Sequence, residues 1–248
     1  MAMTLNSQEI RSLAQRGELY RQQGQYTQAI DNFNQVIEHD PHHAWAFAHR
    51  GVTYRQIKNY QLALADFNQA LCLKPDYAWI LIHRAYLYSM KKQYDVALLD
   101  FDKAMSINDN ILPYPLGERS LLLSYLGRYT EAIDCCLQGL QENSGDYISA
   151  YNLAVVKAYW QGSAPLEINQ ARALLQTLMD TAPDRAGILY RLGGLAALEN
   201  QLEQALNYLQ PALILAEEPR ELVHHDLAWW RWRADPRFQA VIMQEYER

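Results

Sequence analysis

The chain has 248 residues, half of them hydrophobic, which is ample apolar content for a buried core. Its formal net charge is −6 and no block of Lys and Arg stands out, so nucleic acid is not an expected partner. The longest apolar runs fall far short of a bilayer span, and three cysteines, Cys72, Cys135 and Cys136, make no even disulfide framework, so a cytoplasmic protein with reduced thiols and no membrane insertion is expected. Residues 1–9 lack the apolar stretch of a signal peptide and read as a lead-in.

From there a 34-residue period takes over. Gly17 and Gly51 are one period apart; Tyr20, Tyr54 and Tyr88 follow the same step, as do Ala29, Ala63 and Ala97, then Phe33, Phe67 and Phe101, then Pro41 and Pro75. A period of this length implies helical hairpins, helix A then helix B, each too small to bury its apolar face alone. The repeats fall near 10–43, 44–77, 78–111, 113–146, 147–185 and 186–219. Apolar residues three and four apart give each helix one stripe, and small residues such as Gly51 and Ala63 mark close approach of two helix axes. Later repeats drift. The step from Ala132 to Ala171 is 39 residues, implying a longer A–B turn around 161–165, and Pro211 interrupts the last helix B and is expected to kink it. Residues 220–248 do not repeat. They read as a helix over Glu221–Trp229, a turn near Ala234-Asp235-Pro236 and a short helix from Arg237, with Trp229, Trp230, Trp232 and Phe238 covering the exposed end of the array.

Over residues 10–219 this pattern resembles the tetratricopeptide repeat (TPR) family, in a subtype that looks bacterial. The resemblance implies an all-α, right-handed superhelical solenoid of about six hairpins, with helix A lining a concave groove that grips protein partners. Trp45, Trp79 and Tyr114 occupy the second position of three successive helices A; His49, His83 and Glu118 the sixth; Val52, Tyr86 and Leu121 the ninth. Stacked repeats would align the aromatic residues as a ladder with the histidines beside it. Large aromatics offer much contact area with few torsions to freeze, which suits anchoring. Tyr151, Asn152, Tyr190 and Arg191 continue the face, and Arg11, Arg21 and Arg55 could hold a carboxylate. Two readings of Trp45 and Trp79 stand side by side: groove anchors, or packing against the preceding repeat. One family branch grips a C-terminal carboxylate with a Lys/Asn clamp, but the matching positions here, Ala14, Glu18, His49, Trp79 and His83, carry none of those residues.

Catalytic, cofactor and metal chemistry are not expected. There is no phosphate loop, nucleophile elbow or Cys/His dyad, and His39, Asp40, His42 and His43 lie in a turn without a cysteine partner. The helix-B acids Asp31, Asp66, Asp100 and Asp102 read as a solvated outer face. The expected function is a protein-interaction adaptor, monomeric or weakly homo-oligomeric, that takes an extended peptide or helix. The alternative is a structural subunit that self-associates through its C-terminal aromatic segment.

Overall fold

The computed structural model describes residues 5–107, 115–216 and 222–244, and among them every regular element is helical. The chain divides into two compact units, 1–112 and 113–248.

The first unit contains α1 (Ser7–Gln22), α2 (Tyr26–His39), α3 (Ala44–Gln56), α4 (Tyr60–Leu73), α5 (Ala78–Met90) and α6 (Tyr94–Ile107). They pack as the hairpins α1/α2, α3/α4 and α5/α6, with α2 also against α3 and α4 against α5. Asn6 opens α1 with a capping box: its side chain accepts from the Glu9 N–H at 3.0 Å, and the Glu9 carboxylate accepts from the Asn6 N–H at 2.7 Å. Each A–B turn reverses the chain through a left-handed residue, Gly24, Lys58 or Lys92. Glycine takes that conformation freely, whereas lysine carries a strain of about 1 kcal/mol. Inside the hairpins, Phe33 and Phe67 are fully buried, and a Cβ at Gly17 or Gly51 would lie 2.7 Å from their rings. The small residue of helix A is therefore where the helix-B phenylalanine closes onto it.

Asp66 and Asp100 depart from the solvated outer face expected of them: both are buried between helices. Arg50 donates through Nε and Nη2 to Asp66 at 2.8 and 2.7 Å, and Arg84 does the same to Asp100 at 2.6 and 2.7 Å. The remaining Nη1 reaches back to the preceding helix B, Arg50 to Asn34 at 2.7 Å and Arg84 to Asn68 at 2.8 Å. In the first repeat Arg16 donates to Asn32 at 2.7 Å. The planar guanidinium fork spans A and B of one hairpin and ties it to its predecessor.

The second unit contains α7 (Pro115–Tyr125), α8 (Tyr129–Glu142), α9 (Tyr147–Trp160), α10 (Pro165–Leu178), α11 (Arg185–Leu198), α12 (Leu202–Leu215), a 3-10 turn (Leu227–Trp229) and α13 (Pro236–Met243). Its hairpins are α7/α8, α9/α10 and α11/α12, and α9 packs on both helices of the first. The α9–α10 turn passes through Gly162 at positive φ, and Pro165 opens α10. The helix α12 continues through Pro211 to Leu215.

Of the helix expected over Glu221–Trp229, Glu221 lies outside the described residues, and residues 223–229 form a turn and the short 3-10 segment instead. The cause is Asp226. One carboxylate oxygen accepts the Ala228 N–H at 2.8 Å, and the other accepts the hydroxyls of Tyr151 at 2.7 Å and Tyr190 at 2.8 Å. This carboxylate pins the tail onto α9 and α11. Trp229 is fully buried and stacks on Phe238 at 5.4 Å, while the Trp232 indole donates to the Ala197 carbonyl at 3.0 Å. Trp229 and Phe238 thus cover their own chain's last hairpins, and in the C-terminal aromatic segment Trp230 is the tryptophan left well exposed, at 43%.

Candidate partner-binding face

Helical spacing places Trp45 and His49 one turn apart on α3, and Trp79 and His83 one turn apart on α5. The Trp45 ring stacks on His49 at 3.8 Å and 25°, His49 stacks on Trp79 at 4.8 Å and 29°, and Trp79 meets His83 edge-on at 4.4 Å and 88°. The histidines are rungs of the ladder, not its neighbours. Trp45 packs against the preceding repeat. It meets Phe33 edge-on at 6.0 Å and packs against the cluster of Ala14, Val36 and Ala46, while its ring also carries the first rung. The side chains of Trp45 and Trp79 remain partly exposed.

Polar groups of α1 and α3 border the ladder. Glu18 accepts from Arg21 at 2.7 and 2.8 Å, from Gln22 at 2.8 Å and from His49 Nδ1 at 2.8 Å. Burial pushes the Glu18 carboxyl up, but these donors together outweigh it and hold its pKa at about 2. Burial depresses His49 despite its contact with Glu18, so the ring is a neutral donor. Burial, with the nearby charges of Arg55 and Arg21, drives His83 down to about 3. Arg21 also reaches Gln56 at 3.2 Å, whereas Arg55 makes no hydrogen bond or ion pair with the described residues and its Nε is buried.

These depressed values dictate the acid response. His83 takes up a proton near 6.5 when unfolded but only near 3 when folded, so unfolding is favoured progressively between those values. Glu18 adds loss in the same direction as pH falls below 4.5 towards about 2. Urea unfolding at pH 7 and pH 5 should show a loss of about 2 kcal/mol from His83, at about 1.4 kcal/mol per pH unit below its unfolded value. His83→Gln should remove that share; an unchanged pH dependence in the variant would refute it.

The other residues read from the sequence as groove-lining separate into groups. Tyr86 lies partly buried on α5, and Glu118 and Leu121 partly buried on α7. Tyr114 lies outside the described residues. Val52, Tyr151, Asn152 and Tyr190 are buried and present no surface to a partner. Asn152 donates to the Gly117 carbonyl at 2.9 Å and to the Ser120 hydroxyl at 3.0 Å, joining α9 to α7. Tyr151 and Tyr190 serve Asp226. Arg191 lies between the rings of Tyr147 and Tyr151, at 5.3 and 6.0 Å, and donates to the Gly187 carbonyl at 3.1 Å. For the residues of the second unit the physical reason is shared: there the A helices pack on one another and on the tail, and the face that periodicity marks as open is covered. The structure adds Glu18, bonded to His49, and Gln56, bonded to Arg21, to the candidate face; their signal in the sequence was the polar helix-A positions next to the aromatic ones.

His43 uses Nδ1 to accept the Ala46 N–H at 3.1 Å and so caps α3, and Asp40 accepts the His42 N–H at 3.1 Å. Among the described residues no three His, Cys, Asp or Glu side chains gather as a metal site, and no helix is long and apolar enough to cross a membrane.

Hairpins of this kind, tiled at 34 residues with a small residue facing a phenylalanine, define a helical-repeat protein. Tetratricopeptide repeat models match the chain's first two repeats: one described as TPR repeat covers residues 17–57 and one described as tetratricopeptide repeat covers residues 44–77. The fold is similar to that of a tetratricopeptide repeat protein from Parabacteroides merdae, at 20% identity over 90% of this chain and 85% of that one, with a TM-score of 0.69. It is also similar to PilW, described as a type IV pilus biogenesis factor, at 20% identity over 88% of this chain and 100% of that one, with a TM-score of 0.61. PilF of Pseudomonas aeruginosa matches at 20% identity over 91% of this chain and 97% of that one, with a TM-score of 0.59. At such identities the likeness is one of fold. No curated protein matches the chain in sequence.

Proposed function

We propose that this chain is an adaptor that binds an extended peptide or a helix of a partner protein along the helix-A face of its first unit. Tetratricopeptide repeat proteins generally mediate protein–protein interactions. The observation that carries the reading is the run of ring contacts Trp45–His49–Trp79–His83 across two repeats, with Trp45 and Trp79 partly exposed. Large rings already held by their neighbours lose little freedom when a partner packs on them, so most of their contact area counts towards affinity. Groups beside them that can hydrogen-bond, Glu18, Arg21, Gln56 and Arg55, supply selection.

The test uses Trp79, because Trp45 also supports the first hairpin. A peptide library displayed against the whole chain should yield binders whose affinity falls at least about tenfold with Trp79→Ala, a loss typical of an aromatic anchor. Helical circular dichroism at the assay temperature should match the wild type. Binders indifferent to Trp79→Ala, or a library that yields none, would overturn the assignment.

A further inference from the structure

We propose that the second repeat holds a carboxylate of the bound partner between Arg55 and His83, where the first repeat holds its own Glu18. The inference deepens, and rests on, the partner-binding reading of this face. One period separates Glu18 from Val52, Arg21 from Arg55 and His49 from His83. In the first set the carboxylate is internal. Arg21 Nε donates to Glu18 at 2.8 Å, Arg21 Nη2 at 2.7 Å, and His49 Nδ1 lies 2.8 Å from the same carboxylate. In the second set the donors are repeated but Val52 offers no acceptor.

The two atoms left wanting correspond: Arg55 Nε and His83 Nδ1 are both buried and both without a hydrogen-bond partner. Buried polar groups in native proteins are almost always satisfied, so a matched pair of orphans calls for an acceptor. A carboxylate is the acceptor that the first repeat shows to fit, with two oxygens for a guanidinium fork and an imidazole N–H. Charge points the same way. The chain carries −6 overall, yet Arg55 has no ion-pair partner among the described residues, and its charge, with that of Arg21, bears on His83. The donors are an arginine and a histidine, and the histidine meets the Trp79 ring edge-on. A peptide with a hydrophobic residue on the tryptophans and a carboxylate close by matches both features.

Acetate reads this site without any peptide, so its outcome is independent of the display experiment. In carbon–proton spectra of the full chain, titration with sodium acetate against a sodium chloride control should move the His83 ring signal saturably. Arg55→Gln should weaken that response at least about tenfold, as expected when a charged bidentate donor is lost. Val52→Glu should place the His83 signal near its acetate-saturated position with no acetate added; if that variant does not fold, Arg55→Gln decides alone. A His83 signal that acetate leaves still, or that responds equally in Arg55→Gln, overturns the proposal. Peptides from the display experiment then identify the source. Loss of binding on C-terminal amidation assigns the chain terminus, and loss on Glu→Gln or Asp→Asn within the peptide assigns a side chain. Indifference to both overturns the carboxylate site while leaving the Trp79 result standing.

Discussion

Trp229→Ala should destabilise the second unit by about 3–5 kcal/mol, the range for truncating a fully buried tryptophan. The side chain has no exposed surface, stacks on Phe238 and lies 6.2 Å from Tyr190. A Cβ added at Gly193 would come within 3.2 Å of its ring, so α11 is shaped around the indole. Its Nε1 has no hydrogen-bond partner among the described residues, so the variant removes packing and breaks no polar network. The loss should also reach the Asp226 contacts, because Trp229 belongs to the 3-10 turn whose Ala228 N–H that carboxylate holds. Trp230→Ala is the control. That ring is 43% exposed, and its removal should change stability by no more than about 0.5 kcal/mol, as for most surface positions. Urea unfolding followed by circular dichroism separates the two; equal losses would mean that the tail does not cover the hairpins.

The hairpins were legible because the contacts that make them recur at short, fixed separations. Gly17 meets Phe33 and Gly51 meets Phe67 over the same sixteen residues, so one repeat explains the next. Asp66 and Asp100 are buried, against the solvated face expected of them, and Arg50 and Arg84 precede them by that same sixteen-residue step. A helical wheel shows which residues share a face; it does not show which neighbouring helix covers that face. The ladder was legible in part. Equal register aligns Trp45 with Trp79, but the stagger that slides His49 between them is a property of helix packing, not of spacing. The burial of Tyr151 and Tyr190 had no periodic signal at all, because their partner Asp226 belongs to the tail that does not repeat, 75 and 36 residues away.

Arg50→Ala should cost about 3 kcal/mol, because it strands a carboxylate inside the first unit. Asp66 is 5% exposed, and Arg50 is its bidentate partner. Burial already pushes the Asp66 carboxyl up, with Arg50 opposing. Without Arg50 it rises further and can escape by taking a proton, which caps the loss below the full cost of a buried charge. The sign follows: in Arg50→Ala the folded Asp66 binds its proton more tightly than the unfolded one, so the deficit is greatest at neutral pH and shrinks as pH falls towards the raised value. The pair Arg50→Met with Asp66→Leu should restore most of the stability, since apolar groups of similar size replace an ion pair whose desolvation offsets its attraction. Arg16→Ala, which leaves a neutral Asn32, should cost only about 1 kcal/mol, the worth of an ordinary hydrogen bond. Urea unfolding of the three variants at pH 7 and pH 5 gives the ordering. Arg50→Ala no worse than Arg16→Ala would show that Asp66 is reached by water and that the arginine fork does not hold the hairpins together.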